Sequence, residues 1–260
     1  MEVVSTHIHG DTAQIYVTMR DLTGGRVDAA TDLFDSYSLH IPFDSAANCT
    51  QAAFDEKTNT AAFLITISTM NGKDIAPGKS KVTFSVREFL SRKVTEENIP
   101  IPLDLTSAVK AEDTYVLNSG YGIKYTVVGY SSVNGREPDS YTVLIPGDPI
   151  CSAGEGMDIT GIGYINDELH IQVMTRDKLT LDTHGDLRLT DAGGNNVFYD
   201  SISFAEDMNT GERTDYQEFI FDVSPDEIAN YKLLGDYYSN RMNTKGNWKV
   251  TFPLTTGGEK

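Results

Sequence analysis

The chain is short of cysteine, tryptophan, positive charge and long apolar runs, and each shortage excludes something. Two of its 260 residues are cysteine, Cys49 and Cys151, far apart and in no CxxC pair. Two thiols cannot form a zinc site by themselves, so they are expected as isolated groups, at least one of them buried. Lys and Arg number 21 against 38 Asp and Glu, a formal net charge of −17. Nucleic-acid phosphates and anionic headgroups repel such a surface, so nucleic acid is excluded as a partner. No stretch reaches the about 18 apolar residues that cross a bilayer as a helix, so this segment is not expected to insert in a membrane. The opening Met1-Glu2-Val3-Val4 has no basic region and runs straight into a strand-like pattern, unlike a signal peptide.

Catalytic signatures are missing as well. There is no GxSxG, HExxH, Walker loop or GxGxxG. Gly161-Ile162-Gly163 is too short for a dinucleotide fingerprint and reads as a bulge or a close strand approach. The expectation is therefore a non-catalytic protein with no catalytic residues and no resident cofactor.

What the chain does have is the texture of strands. Hydrophobic residues make up 39% and are spread along the whole length, so a real core is expected. Thirteen Tyr and 11 Phe accompany many Val, Ile and Thr, while 22 Gly and 9 Pro punctuate short apolar runs. One segment departs from this pattern: Ser224-Pro225-Asp226-Glu227 offers a cap, a first-turn proline and an acidic third position, which predicts a short helical turn.

The chain also repeats itself. Thr12–Asp21 and Glu168–Asp177 share Ile, Val, Arg and Asp at an offset of 156. At the same offset Gly10-Asp11 falls on Asn166-Asp167, predicting a strand, tight turn and strand in both copies. Phe63-x-Ile65-x-Ile67 falls on Phe219-x-Phe221-x-Val223, and Phe54 matches Phe204 at 150. Each copy then closes on a similar strand, Ile99–Leu103 and Trp248–Leu254. The reading is an all-β protein of two immunoglobulin-like β-sandwich domains made by internal duplication, 1–106 and 158–260. In such a two-layer arrangement neither sheet is buried on both faces. Residues 107–157 form a strand-containing connector, with strands at Tyr115–Leu117, Tyr125–Val128 and Tyr141–Ile145 and a turn at Asn134-Gly135.

Few side chains propose themselves as a site. Asp21, Asp28, Asp32 and Asp35 crowd the loop after the second strand, and Asp177, Asp182 and Asp186 crowd its counterpart. Calcium takes about six to eight oxygens, and sandwich loops can supply them, so Asp21, Asp28, Asp32, Asp182 and Asp186 are the calcium candidates. With 38 acidic residues, crowding also arises by chance. Arg20 and Arg176, each preceding an Asp, are expected to bridge or cap a turn. His7 and His9 share a strand face without a third ligand, so a solvated face is expected. Trp248, Tyr237 and Tyr238 could stack on a glycan, although Trp248 alternates with Val250 and Phe252 as a core residue would.

Two stretches carry a resemblance: Gly10–Gly24 followed by Asp32–Ser38, and the closing Gly246–Leu254. Together they resemble the extracellular region of a domain-of-unknown-function family of low-GC Gram-positive bacteria, membrane-anchored and anti-sigma-factor-like. The resemblance implies a β-rich region outside the membrane, excised here from a longer chain with a cytoplasmic tail and one membrane helix. It identifies no site residue. It implies a sensory role with an unknown protein or a cell-wall glycan as partner; the alternative is an adhesive or structural surface protein.

Overall fold

The computed structural model describes residues 1–118, 124–133, 135, 140–206 and 213–255, with Asp35 and Asn118 described by their backbone alone. Sixteen strands carry the described fold. They are β1 (Glu2–His9), β2 (Thr12–Arg20), β3 (Tyr37–His40), β4 (Ser45–Asp55), β5 (Thr60–Thr69), β6 (Lys81–Pro100), β7 (Thr114–Asn118) and β8 (Tyr125–Ser131). The series continues with β9 (Ser140–Leu144), β10 (Cys151–Gly154), β11 (Met157–Ile165), β12 (Glu168–Thr175), β13 (His184–Thr190), β14 (Tyr199–Glu206), β15 (Thr214–Phe221) and β16 (Lys232–Pro253). One α-helix, α1 (Lys178–Leu181), and three short 3-10 turns complete it. The all-β expectation holds, and no described helix is long and apolar enough to cross a membrane.

The chain divides into two compact units, one of residues 1–93 and 240–260, the other of 94–239. These bounds differ from 1–106 and 158–260. The difference lies in β6 and β16, 20 and 22 residues long, each of which begins in one unit and ends in the other. The sequence showed two closing strands of similar pattern; the fold assigns them crosswise. Phe252 and Leu254 lie in the core of the first unit, and Ile101 in that of the second.

In the first unit a sheet of order β1-β2-β5-β4 follows from strict alternation. Ala13, Ile15, Val17 and Met19 of β2 point inward, as do Ala61, Phe63, Ile65 and Ile67 of β5. They pack on Val82, Phe84 and Val86 of β6 and on Phe252, so two sheets enclose one core. Each fully buried Phe or Ile contributes about 1.5–3 kcal/mol. The predicted turn at Gly10-Asp11 joins β1 to β2, with His9 opposite Thr12 and Gly10 at φ 60°, where a side chain would be strained.

In the second unit the order β11-β12-β15-β14 recurs, extended by β10 at one edge and β8 at the other. The turn again comes where expected: Asn166 and Asp167 both have positive φ, and Ile165 faces Glu168. The bulge between Val3 and Ser5 in β1 recurs between Ile159 and Gly161 in β11, at the same offset of 156. The match of Phe63 to Phe219 does not survive in register. Ile15 faces Ile65 while Ile171 faces Phe219, so the equivalent of Phe219 is Ile65. The loop between these strands is two residues shorter in the second unit.

One expectation fails outright. β12 reads exposed only at Glu168 and is buried at Leu169–Val173, so its sheet is covered on both faces. Leu169, Ile171 and Val173 face the core shared with Leu187, Leu189 and Leu233. The opposite face lies under the antiparallel pair β7-β9, where Leu117, Tyr141 and Val143 meet Tyr125, Phe204 and Tyr216. The connector is therefore a third layer. Its strands fall where expected, β8 having joined the large sheet beside β14. Gly161 and Gly163 sit where this layer comes close: an added Cβ at Gly161 would meet Leu144, and one at Gly163 the Val109 carbonyl. Asn134 of the expected turn lies outside the described residues. The predicted helical turn is present, with Ser224 Oγ donating to Glu227 Oε2 at 2.7 Å ahead of the 3-10 turn Ile228–Asn230.

Candidate functional site

β2 ends at Arg20, and the chain turns at once into a loop organised by the next side chain. Asp21 is buried and accepts from Thr23 N (3.0 Å), Thr23 Oγ1 (2.9 Å), Arg26 N (2.8 Å) and Arg26 Nη2 (2.6 Å). The Arg26 guanidinium is the main reason its carboxyl lies well below the usual carboxylate range. Asp28 secures the other end of the loop, accepting from Ala30 N (2.9 Å) and from Arg92 N of β6 (2.7 Å). Asp32 N donates to Leu90 O (2.9 Å), and its carboxylate accepts from Phe34 N (2.8 Å).

Across from this loop β16 presents Trp248, the one tryptophan of the chain. The indole lies along its own strand over Gly246, where an added Cβ would collide with it. Its ring is 5.4 Å from that of Phe89 at 48°, a tilted contact within the favourable range for aromatic pairs. Between loop and strand opens a cavity of about 370 Å3. Met19, Leu22, Val27, Phe89 and Trp248 supply its apolar lining, and Thr23 with the Asp21–Arg26 pair its polar lining. Leu22 is 84% exposed. A concave apolar surface with a few placed polar groups is the form of a small-ligand site.

The five calcium candidates are not brought together. Among the described residues no three His, Cys, Asp or Glu side chains form a metal-sized group. Asp21 and Asp28 are taken up in bracing the loop, and the side chain of Asp35 lies outside the described residues. In the second unit Asp186 accepts from the Tyr199 hydroxyl, whose own ionisation burial pushes well above the usual range. Asp182, in a left-handed conformation at the end of α1, gives its carbonyl to His184 Nδ1 at 2.8 Å. Asp177 accepts from Thr180 Oγ1 at 3.0 Å. Arg176 makes the expected bridge, 2.7 Å from Asp158. His7 and His9 are exposed on β1.

The remaining aromatics divide. Tyr237 is buried in the second core, while Tyr238 stacks on His184 at 5.3 Å. Both thiols are free and half-buried, and burial pushes Cys49 up to about 12.

Sequence reasoning missed Arg26 and Phe89, which no motif marks, although the Asp-x-Thr start of an Asx-type turn at Asp21 was legible. It also missed a buried polar constellation in the second unit. Glu218, fully buried, accepts from Leu144 N (3.1 Å to each oxygen), His170 Nδ1 (2.7 Å) and Gln172 Nε2 (2.9 Å). Gln172 Nε2 also donates to Leu144 O at 2.8 Å, and Thr160 Oγ1 donates to Gln172 Oε1 at 2.9 Å. This network joins β9 to the large sheet and lines none of the cavities described here.

No protein-family model and no curated protein matches the sequence. Among solved structures, the chain is similar to the crystal structure of a conserved domain protein from Bacillus anthracis. The identity is 9%, with 96% of this chain and 85% of that chain covered, at a TM-score of 0.23.

Proposed function

We propose that this chain is the extracellular, non-catalytic ligand-binding region of a membrane-anchored bacterial surface protein. In this reading it senses a ligand through the cavity beside Trp248 and regulates an anti-sigma-type signal. The observation that carries the reading is that cavity: about 370 Å3, apolar on one side and edged by an ion pair whose geometry is locked by backbone donors. The resemblance of Gly10–Gly24 and Gly246–Leu254 to anti-sigma-like surface proteins supports the compartment, and both stretches contribute to the cavity wall. Descent from a duplicated immunoglobulin-like sandwich is part of the same reading. It is supported by the recurring strand order and by the bulge repeated at an offset of 156.

Because Trp248 is the one tryptophan, its emission reports on the cavity directly. Titration with cell-wall fragments and common polysaccharides is expected to shift that emission and raise the melting transition, by about 2.7 kcal/mol at a hundred times Kd. Phe89→Ala is expected to abolish the emission shift. Binding that leaves Trp248 emission unmoved would sink the reading. The indole at an open cavity also favours the adhesive alternative, in which a glycan is gripped rather than sensed. A glycan that binds equally well to the isolated region and to the anchored protein, with no downstream response, would select it.

A further inference from the structure

Every open sheet exposes two edge strands, and an unblunted edge is a template for another strand. In the first unit β4 is an outer strand of its sheet, and among the described residues it is the longest edge strand, at 11 residues. Other edges are protected by ordinary means. β3 and β10 are four residues each; β13 carries Asp186 and Arg188; β1 carries Glu2 and spends Thr6 on the Thr255 carbonyl; β8 is shorter and broken by exposed Gly129.

β4 has no proline, and its one charged residue is Asp55 at its very end. Ser45–Phe54 holds no acidic or basic side chain, in a chain of net charge −17. Ala46, Ala47, Asn48 and Thr50 are exposed, and among the described residues no backbone group of β4 bonds outside its ladder with β5. That ladder runs unbroken from Ser45 to Gln51, before a bulge at Ala53 ends the straight segment.

We propose that Ser45–Gln51 pairs antiparallel with the same segment of a second copy of this chain, joining two four-stranded sheets into one. The choice of a second copy rests on charge. Two bodies of −17 repel wherever acidic surface meets acidic surface; the seven residues of this segment carry no carboxylate, and Asp28 approaches only its Gln51 end, where its carbonyl accepts from Gln51 Nε2 at 2.9 Å. An antiparallel strand is also self-complementary, as a two-fold interface requires. With the dyad at Asn48, Ser45 faces Gln51 of the second copy and Asp44 faces its Ala52. Asp55 then falls beyond the contact, so no carboxylate meets another.

The test is sedimentation velocity of the full chain from about 10 µM to 1 mM, since one strand pair is smaller than a stable interface. Weak reversible dimerisation is expected. It should strengthen as salt screens the mutual repulsion of the two copies, whereas an interface built on ion pairs would weaken. Asn48→Lys, which places like charges across the dyad, is expected to leave only monomer while keeping the wild-type melting temperature. In a Cys49→Ser, Cys151→Ser background, Asn48→Cys is expected to form a disulfide-linked dimer on mild oxidation. A monomer throughout the range, or a dimer indifferent to Asn48→Lys, overturns the proposal.

Discussion

β2 and β12 occupy the same place in two sheets of the same strand order, and their outward faces have opposite fates. In β2 the outward residues Gln14 and Tyr16 meet solvent, Tyr16 at 41% exposure. The positions 156 residues later are His170 and Gln172, at 3% and 0%. Their register partners follow suit: Leu64 opposite Tyr16 is half-buried, while Glu218 opposite Gln172 is fully buried. The cause is the β7-β9 layer, present over the second sheet and matched by nothing in the first unit. Covering a polar face removes water from it, so each donor and acceptor must find a protein partner. The constellation around Glu218 is what satisfies that demand. A polar residue in an alternating strand thus means "not in this core", which is not the same as "in water".

The largest effect should come from breaking this network at Glu218, its most heavily bonded member. Glu218→Leu strands the Leu144 N–H and the polar heads of His170 and Gln172, and is expected to cost about 3–5 kcal/mol. Chemical denaturation reads it, and accelerated amide exchange at Leu144 would locate the damage under β9. A matched pair sharpens the contrast. Gln172→Ala is expected to cost about 2–3 kcal/mol through its three lost hydrogen bonds, and Tyr16→Ala within about 1 kcal/mol as a surface change. Equal costs at the two positions would remove the distinction between covered and wet faces.

Among losses of a bonded polar group, the smallest concerns the cavity loop and depends on pH. The folded carboxyl of Asp21 is depressed, so its contribution is fully present above the unfolded pKa of about 4 and fades as pH falls toward the folded value. Asp21→Asn is expected to lower stability by about 2 kcal/mol at pH 7. The gap between variant and wild-type melting temperatures should then narrow steadily below pH 4. A gap that is constant from pH 7 to pH 2 would show that the carboxylate's charge is not what holds the loop.

The regular parts of this architecture were legible because their signals are local. Period-two alternation in Ala13–Met19 and Phe63–Ile67 placed two central strands, and polar two-residue turns placed both hairpins. The Ser-Pro-Asp-Glu start placed one of the helical turns. The candidate site was legible only at its ends: Asp21 was noticed as a calcium candidate and not as a brace of the loop, and Trp248 as a core residue, which packs on the first core and also lines the opening. Arg26 and Phe89 were not found: no motif marks an arginine that closes back on Asp21, and Phe89 acquires its role only through Trp248, far along the chain. The crosswise assignment of β6 and β16 was hidden for a related reason. Two strands of like pattern fit either core, and periodicity carries no record of which one they enter.

By itself the sequence determined the class of fold and the repeated order of strand and turn. Backbone propensity, alternation and net charge are properties of neighbours or of sums, and need no fold to be read. Tertiary structure alone decided which polar residues went dry, which carboxylates became braces instead of ligands, and where an opening was left beside Trp248. Those outcomes depend on what lies within a few ångströms in space, and side chains such as Glu218 and the Leu144 amide are 74 residues apart along the chain.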